Sequence, residues 1–88
     1  MKIKEDFILR KLVDDYVVVP VGAATADFNG MITLNETGAF LFENLQKGIE
    51  RDELVKKLMD EYEVDQEKAS IDIDKFIDKL NGESLLES

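Results

Sequence analysis

The stretch Met31-Ile32-Thr33-Leu34-Asn35-Glu36 marks the change from predicted strands to predicted helices in this chain. Apolar and β-branched residues open it and favour a short third strand at Met31–Leu34. Asn35 is a preferred N-cap, because its side-chain oxygen can accept a hydrogen bond from a free amide of the first helical turn. Glu36 then lies against the positive end of the helix dipole. We therefore expect a sheet before residue 35 and a helix after it.

Two further strands are predicted upstream. Phe7–Val13 is rich in apolar and β-branched residues, and Tyr16–Val19 is a second extended run after a two-aspartate turn. Pro20 closes the second strand or lies at a sheet edge, because it cannot donate to a strand ladder. The small side chains of Gly22–Thr25 indicate a loop. Asn29-Gly30 favours a hairpin turn, since both central positions of a type I′ turn need positive φ.

Three helices are predicted downstream, each with an apolar stripe at helical spacing. The predicted bounds are Asn35 to about Gln46 with Gly48 as the stop, Arg51 to Glu61, and Asp65 to Asn81-Gly82. Leu85-Leu86 is expected to fold back onto the body. The fold class is therefore α+β. Three antiparallel strands followed by three helices, the last two joined by a tight turn, form a winged helix-turn-helix, and 88 residues make one domain over 1–88.

The composition narrows the function. The chain lacks cysteine and histidine, which removes thiolate nucleophiles, the commonest general base and the commonest metal ligands. We therefore predict no catalytic residues, no metal and no cofactor. The formal charge of −9 disfavours nucleic acid and membrane as partners, since both are anionic. The N-terminus lacks a secretory signal and no apolar run could span a membrane, so a cytoplasmic protein is expected.

One flank of the predicted third helix carries lysines on an otherwise acidic protein. Lys68, Lys75 and Lys79 fall on the same side of its core stripe, with Asp72 beside them and Ile71 at the outer margin. A solvated face with a Lys68–Asp72 pair is one interpretation. The other is a docking surface for an acidic or amphipathic peptide. In a helix-turn-helix the same face is where DNA would be contacted.

Two more features allow a structural or a functional interpretation. Phe40 lies nearly opposite the apolar stripe of the first helix, so it packs on a loop or the N-terminal strands, or belongs to a dimer or enzyme interface. With Ile71, it is the candidate contact for a homodimer. In the third strand, period two places Ile32 and Leu34 on the face opposite Met31 and Thr33. Such an edge strand pairs with nothing, or it accepts an incoming peptide strand.

Several segments together resemble the PqqD family, named for coenzyme PQQ synthesis protein D. They are Tyr16–Gly22, Phe28–Gly38, Asp52–Val55, the Tyr62–Asp65 connection, and Asp72 with Phe76 and Leu80. The resemblance covers nearly the whole chain and implies the same winged helix-turn-helix with an N-terminal sheet. One departure is that Asn81–Leu86 stands where a helix-ending Ala-Gly-Leu-Leu is common.

The resemblance implies a recognition element for ribosomally made, post-translationally modified peptides. Members of the PqqD family bind the leader of a precursor peptide and present it to a modifying enzyme, often a radical-SAM protein. The leader adds as a strand beside the third strand and lies against the third helix. On this chain the implied peptide-binding residues are Met31, Ile32, Thr33, Leu34, Lys68, Asp72, Lys75, Phe76 and Lys79. The lysines are particular to this sequence and suggest an acidic leader.

Two rival functions remain open at this point. A winged-helix transcription regulator would use the same third helix, although that helix carries no arginine and the chain is acidic. A plain assembly subunit would dock through Phe40. The resemblance does not identify the pathway as PQQ synthesis, because the fold serves many modified peptides.

Overall fold

A computed structural model describes residues 1–26 and 31–87. Its elements, in chain order, are β1 (Phe7–Lys11), β2 (Tyr16–Pro20), a short 3₁₀ helix (Gly22–Ala26), β3 (Ile32–Leu34), α1 (Glu36–Lys47), α2 (Arg51–Glu61) and α3 (Gln66–Gly82). The sheet precedes the helices, and α2 and α3 form a helix-turn-helix, so the predicted α+β winged helix-turn-helix is confirmed. Within the described ranges, no helix combines the length and apolar character needed to cross a membrane.

The sheet is antiparallel with the order β1-β2-β3, which leaves β3 at an edge. Val18 of the central strand pairs with Ile32, and Tyr16 pairs with Leu34. Ile32 and Leu34 are buried whereas Thr33 is exposed, as the period-two pattern predicts. The predicted Asn29-Gly30 turn lies outside the described residues.

Two predicted strand boundaries were wrong, the end of β1 and the start of β3. β1 stops at Lys11, and Leu12 and Val13 are exposed in the turn, where the Leu12 amide donates to the Asp15 carbonyl at 2.7 Å. Met31 lies one residue outside β3 and is exposed, because the pairing with β2 begins only at Ile32.

The segment predicted as a loop after β2 contains the 3₁₀ helix at Gly22–Ala26. The Thr25 hydroxyl donates to the Gly22 carbonyl at 2.7 Å and stabilises this turn. Sequence periodicity could not predict it, because a single 3₁₀ turn is too short to have an apolar stripe.

The helix ends follow the predicted capping chemistry. Asn35 caps α1 by accepting a hydrogen bond from the Gly38 amide at 2.8 Å, and Asp65 caps α3 by accepting one from the Lys68 amide at 2.8 Å. Gly48 ends α1 with φ of 87°, a left-handed conformation that glycine adopts without steric cost.

One face of the sheet and the inner faces of the helices enclose the core. The buried core residues are Ile3, Phe7, Val18, Ile32, Leu34, Leu41, Phe42, Leu45, Leu54, Val55, Leu58, Ala69, Ile73, Phe76, Leu80 and Leu85. The predicted stripes of all three helices supply most of this set. The sheet and the helices therefore depend on each other for burial of their apolar faces.

The two ends of the described chain lie side by side and close the core. The Ile3 amide donates to the Leu45 carbonyl at 3.0 Å, and the Lys4 amide donates to the Leu85 carbonyl at 2.9 Å. Ile3 also forms a bridge with Leu86, and Leu85 is fully buried. The predicted fold-back of Leu85-Leu86 is confirmed.

A bidentate ion pair joins the start of α2 to α3. Arg51 Nε donates to Asp74 Oδ1 at 2.7 Å, and Nη2 donates to Oδ2 at 2.9 Å. These hydrogen bonds lower the pKa of Asp74 below its ordinary 3.8 and raise the pKa of Arg51. The pair links the start of α2 to the middle of α3 on the solvent-exposed side of the helix-turn-helix.

Replacing Leu85 with alanine tests the closure by the tail. Because Leu85 is 0% exposed, we expect Leu85→Ala to lower the free energy of unfolding by about 2–5 kcal/mol. Urea denaturation followed by circular dichroism measures it. Leu12→Ala is the matched control, since Leu12 is 52% exposed and its truncation should cost under about 0.5 kcal/mol. Equal losses in the two variants would contradict the buried position of Leu85.

The Arg51–Asp74 pair makes a pH-dependent contribution to stability. Because the folded-state pKa of Asp74 is depressed below 3.8, the contribution is complete above that value and disappears as the pH falls through the folded-state pKa. We expect the Asp74 carboxyl, followed by carbon-detected NMR, to titrate at lower pH in the unmodified chain than in Arg51→Gln. Lys57→Gln removes an exposed charge from the same helix and should leave this titration unchanged. An identical titration in Arg51→Gln would exclude the ion pair.

Candidate functional site

A groove of about 570 Å³ runs between β3 and α3. One wall follows Thr33 through Asn35 and the first turn of α1, and the other follows three turns of α3 from Lys68 to Lys79. The turn between α2 and α3 bounds the groove at Tyr62 and Val64. We call this the β3–α3 groove. It lies beside the edge of β3 that does not pair with β2.

The floor of the groove is apolar and preformed. Leu34 of β3, Leu41 of α1, Leu58 of α2 and Phe76 of α3 all line it and all belong to the core. Each is at most 9% exposed, so the floor is the top of the packed interior. An apolar side chain laid here would remove its own surface from water without any rearrangement of the core.

The α3 wall is cationic. Lys68, Lys75 and Lys79 all line the groove, as does Asp72. The Lys68 ammonium lies 3.4 Å from the Asp72 carboxylate, an i,i+4 pair. Lys75 and Lys79 have no ion-pair partner in the described part of the chain. The predicted Lys68–Asp72 pair is therefore present, and it accounts for only one of the three lysines.

The aromatic side chains meet where the α2–α3 turn approaches α1. The rings of Phe40 and Tyr62 are edge to face, with centroids 5.7 Å apart and an interplanar angle of 84°. Burial, followed by the nearby Glu36 carboxylate, raises the pKa of Tyr62 above 10.0. Phe40 is half-buried against the core, so it has a partner within the chain.

The structure divides the sequence-predicted residues into two groups. Those that line the groove are Thr33, Leu34, Lys68, Asp72, Lys75, Phe76 and Lys79. Met31 and Ile32 do not line it, because Met31 precedes the strand and the Ile32 side chain is buried beneath the sheet. Ile71 is 47% exposed and lies in a shallower depression further out on α3. Peptide contact by any of these residues remains a prediction.

Other groove residues were not predicted as site residues. Leu41 and Leu58 were predicted as core positions. The apolar stripes of α1 and α2 do not indicate that the outer surfaces of these two side chains form the floor of a groove. Asn35 was predicted as an N-cap, and its carbonyl also accepts a bond from the Ala39 amide at 2.9 Å. Gly38 lines the groove close to Leu34: an added Cβ would lie 3.3 Å from the Leu34 Cβ. Such close approaches are visible only in three dimensions.

The described residues show no candidate metal cluster and no unsatisfied buried polar side chain. Among them, no group of three or more acidic residues is placed to hold a metal ion, and no buried side-chain nitrogen or oxygen lacks a hydrogen bond. The arrangement instead provides an unpaired strand edge, an apolar floor and a cationic wall side by side. Together they can accept an extended chain.

Comparison with known proteins gives one family match and two structures with a similar fold. A family model described as Coenzyme PQQ synthesis protein D (PqqD) matches residues 15–86. Two solved structures are similar over essentially the whole chain. "TbiB1 in Complex with the TbiA(beta) Leader Peptide" has 24% identity and a TM-score of 0.79, covering 100% of this chain and 96% of that one. "Lasso peptide synthetase B1 complexed with the leader peptide" has 20% identity and a TM-score of 0.76, covering 99% and 96%.

At these identities the two structures establish the shared fold and nothing more. No curated protein matches the chain significantly in sequence. The family match extends over β2, β3 and all three helices, and therefore over every element that builds the groove. The chain belongs to the PqqD family.

Proposed function

We propose that this chain is a recognition element that binds the leader of a ribosomally synthesised precursor peptide and presents it to a modifying enzyme. The observation that carries the proposal is the unpaired edge of β3 beside a groove with an apolar floor. The family membership supports it. The two similar structures were obtained with leader peptides bound, and the same fold in this chain offers the groove for a leader.

Strand addition is the binding mode that the groove favours. An extended peptide placed along β3 would pair with the free backbone groups at that edge, giving affinity with little dependence on sequence. Alternate peptide side chains would then point toward the helices. Those side chains would meet the floor formed by Leu34, Leu41, Leu58 and Phe76, which supplies selectivity for apolar residues.

Presentation to the enzyme needs no chemistry from this chain. Holding the leader beside a radical-SAM or other modifying enzyme raises the local concentration of the precursor, and moderate affinity suffices for that. We therefore propose a non-enzymatic role. Precursor and enzyme would meet in the cytoplasm, and that location remains a prediction.

The rival functions have less support. A DNA-binding regulator would present α3 to the duplex, yet α3 carries three lysines, no arginine and several acidic residues in a chain of net charge −9. An assembly subunit docking through Phe40 would need that ring to be available. Its edge-to-face contact with Tyr62 occupies it within the chain.

NMR titration of the labelled full chain tests the proposal. The first ligand is the leader of the nearest encoded short peptide, and the second is duplex DNA at moderate salt. We expect the leader to shift the amides of Thr33, Leu34 and the Lys68–Lys79 face, because these residues line the groove. The exposed turn at Leu12–Val13 lies outside the groove and should not move.

Duplex DNA should leave α3 unshifted. If leaders leave the groove amides unmoved while DNA shifts α3, the recognition proposal fails and the regulator replaces it. If the leader shifts only residues around Phe40, peptide binding would not occur at β3.

A further inference from the structure

We propose that the groove selects a leader carrying two carboxylate side chains at alternate positions, on the side of the peptide strand that faces α3. The proposal rests on the proposed function, because it concerns the peptide added along β3. It goes further by naming the chemistry that the peptide must carry. The carboxylates would pair with Lys75 and Lys79.

Lys75 and Lys79 are the free cations of the groove within the described residues. Lys68 is already paired with Asp72 at 3.4 Å, so its charge and that of Asp72 largely offset each other. Lys75 and Lys79 are exposed and both line the groove, and neither has an ion-pair partner among residues 1–26 and 31–87. An exposed lysine pairs weakly with a carboxylate in water. A peptide strand seated over the floor would exclude part of that water and strengthen the pairing.

The rest of the chain is acidic, in contrast to the cationic α3 wall. The chain carries 20 acidic and 11 basic side chains. An acidic peptide is therefore repelled by most of the surface and attracted by the α3 wall, which favours one mode of encounter. Leaders without carboxylates would gain nothing from this field.

Helix and strand geometry set the spacing. Lys75 and Lys79 are four residues apart on α3, which is about 6 Å along the helix axis. Alternate residues of an extended strand are about 6.6 Å apart and point to the same side. Two carboxylates at i and i+2 on the α3 side therefore match the two ammonium groups. Adjacent carboxylates would point to opposite faces, and only one could reach the wall.

Selection from a library of randomised, displayed short peptides tests the proposal on the full chain. We expect Asp or Glu to be enriched at alternate positions, with an apolar residue two positions before or after them, because that residue faces the same side of the strand and can reach the apolar floor. Synthetic copies of an enriched peptide and of its isomer with the two acidic residues adjacent are then compared by fluorescence anisotropy. The isomer has the same composition and net charge, so weaker binding of the isomer excludes net charge as the cause.

Two double variants separate the groove from general electrostatics. Lys75→Gln/Lys79→Gln removes the two free cations, and Lys56→Gln/Lys57→Gln removes two exposed cations from α2, outside the groove. We expect the first to weaken binding of the enriched peptide about tenfold and the second by about twofold or less. Raising the salt should reduce the difference, because exposed charges are screened.

The possible failures are distinguishable. Selected peptides that shift the Thr33 and Leu34 amides, yet lack alternate acids or bind the Lys75→Gln/Lys79→Gln variant equally well, would overturn this inference and leave the proposed function standing. If the library and the encoded leader both fail to shift the groove amides, the proposed function fails as well. Equal losses in the two double variants would assign the effect to net charge and overturn the inference.

Discussion

The junction at Asn35 is the constraint on which the site depends. The strand β3 passes into α1 through this one residue, whose side chain accepts a hydrogen bond from the Gly38 amide and whose carbonyl accepts one from the Ala39 amide. Gly38 permits the contact, because an added Cβ would lie 3.3 Å from both the Leu34 Cβ and the capping oxygen. Strand and helix are thus held together without a linker, and the groove begins where they meet.

The second requirement is that the helix-turn-helix stand at a fixed distance from β3. Burial of Leu58 and Phe76 against the same core as Leu34 sets this distance, and the Arg51–Asp74 pair fastens α2 to α3 away from the groove. Each residue of the groove floor packs against other core residues on its buried side. This close packing keeps the floor residues from moving into the groove. An open edge strand is normally a hazard for aggregation. Here the edge is only three residues long and adjoins a charged wall.

Much of this fold is predictable from local rules. Capping residues and apolar stripes predict the ends of all three helices to within about one residue. The ends are predictable because Asn35, Asp65 and Gly48 act on residues next to them in the sequence. Strand ends are less predictable, because pairing partners set them, as the loss of Leu12 and Met31 from the strands illustrates.

The site is predictable only in part. Helical periodicity collects the lysines of α3 on one flank, and the groove indeed contains them. Periodicity also identifies Leu41 and Leu58 as core residues, but a stripe cannot indicate that a buried side chain also forms the floor of an open groove. That property arises from the separation of β3 and α3, which no single segment encodes.

The pairing of Lys2 and Ile3 with Leu86 and Glu87 has an architectural consequence. Residues 2–3 and 86–87 lie within hydrogen-bonding distance of each other, beside the C-terminal end of α1, whereas the groove adjoins its N-terminal end. A twelve-residue helix separates the two by about 18 Å. Adjacent ends of this kind are compatible with insertion of the domain into a surface loop of a larger protein. The two connections would then lie together, at the opposite end of α1 from the groove.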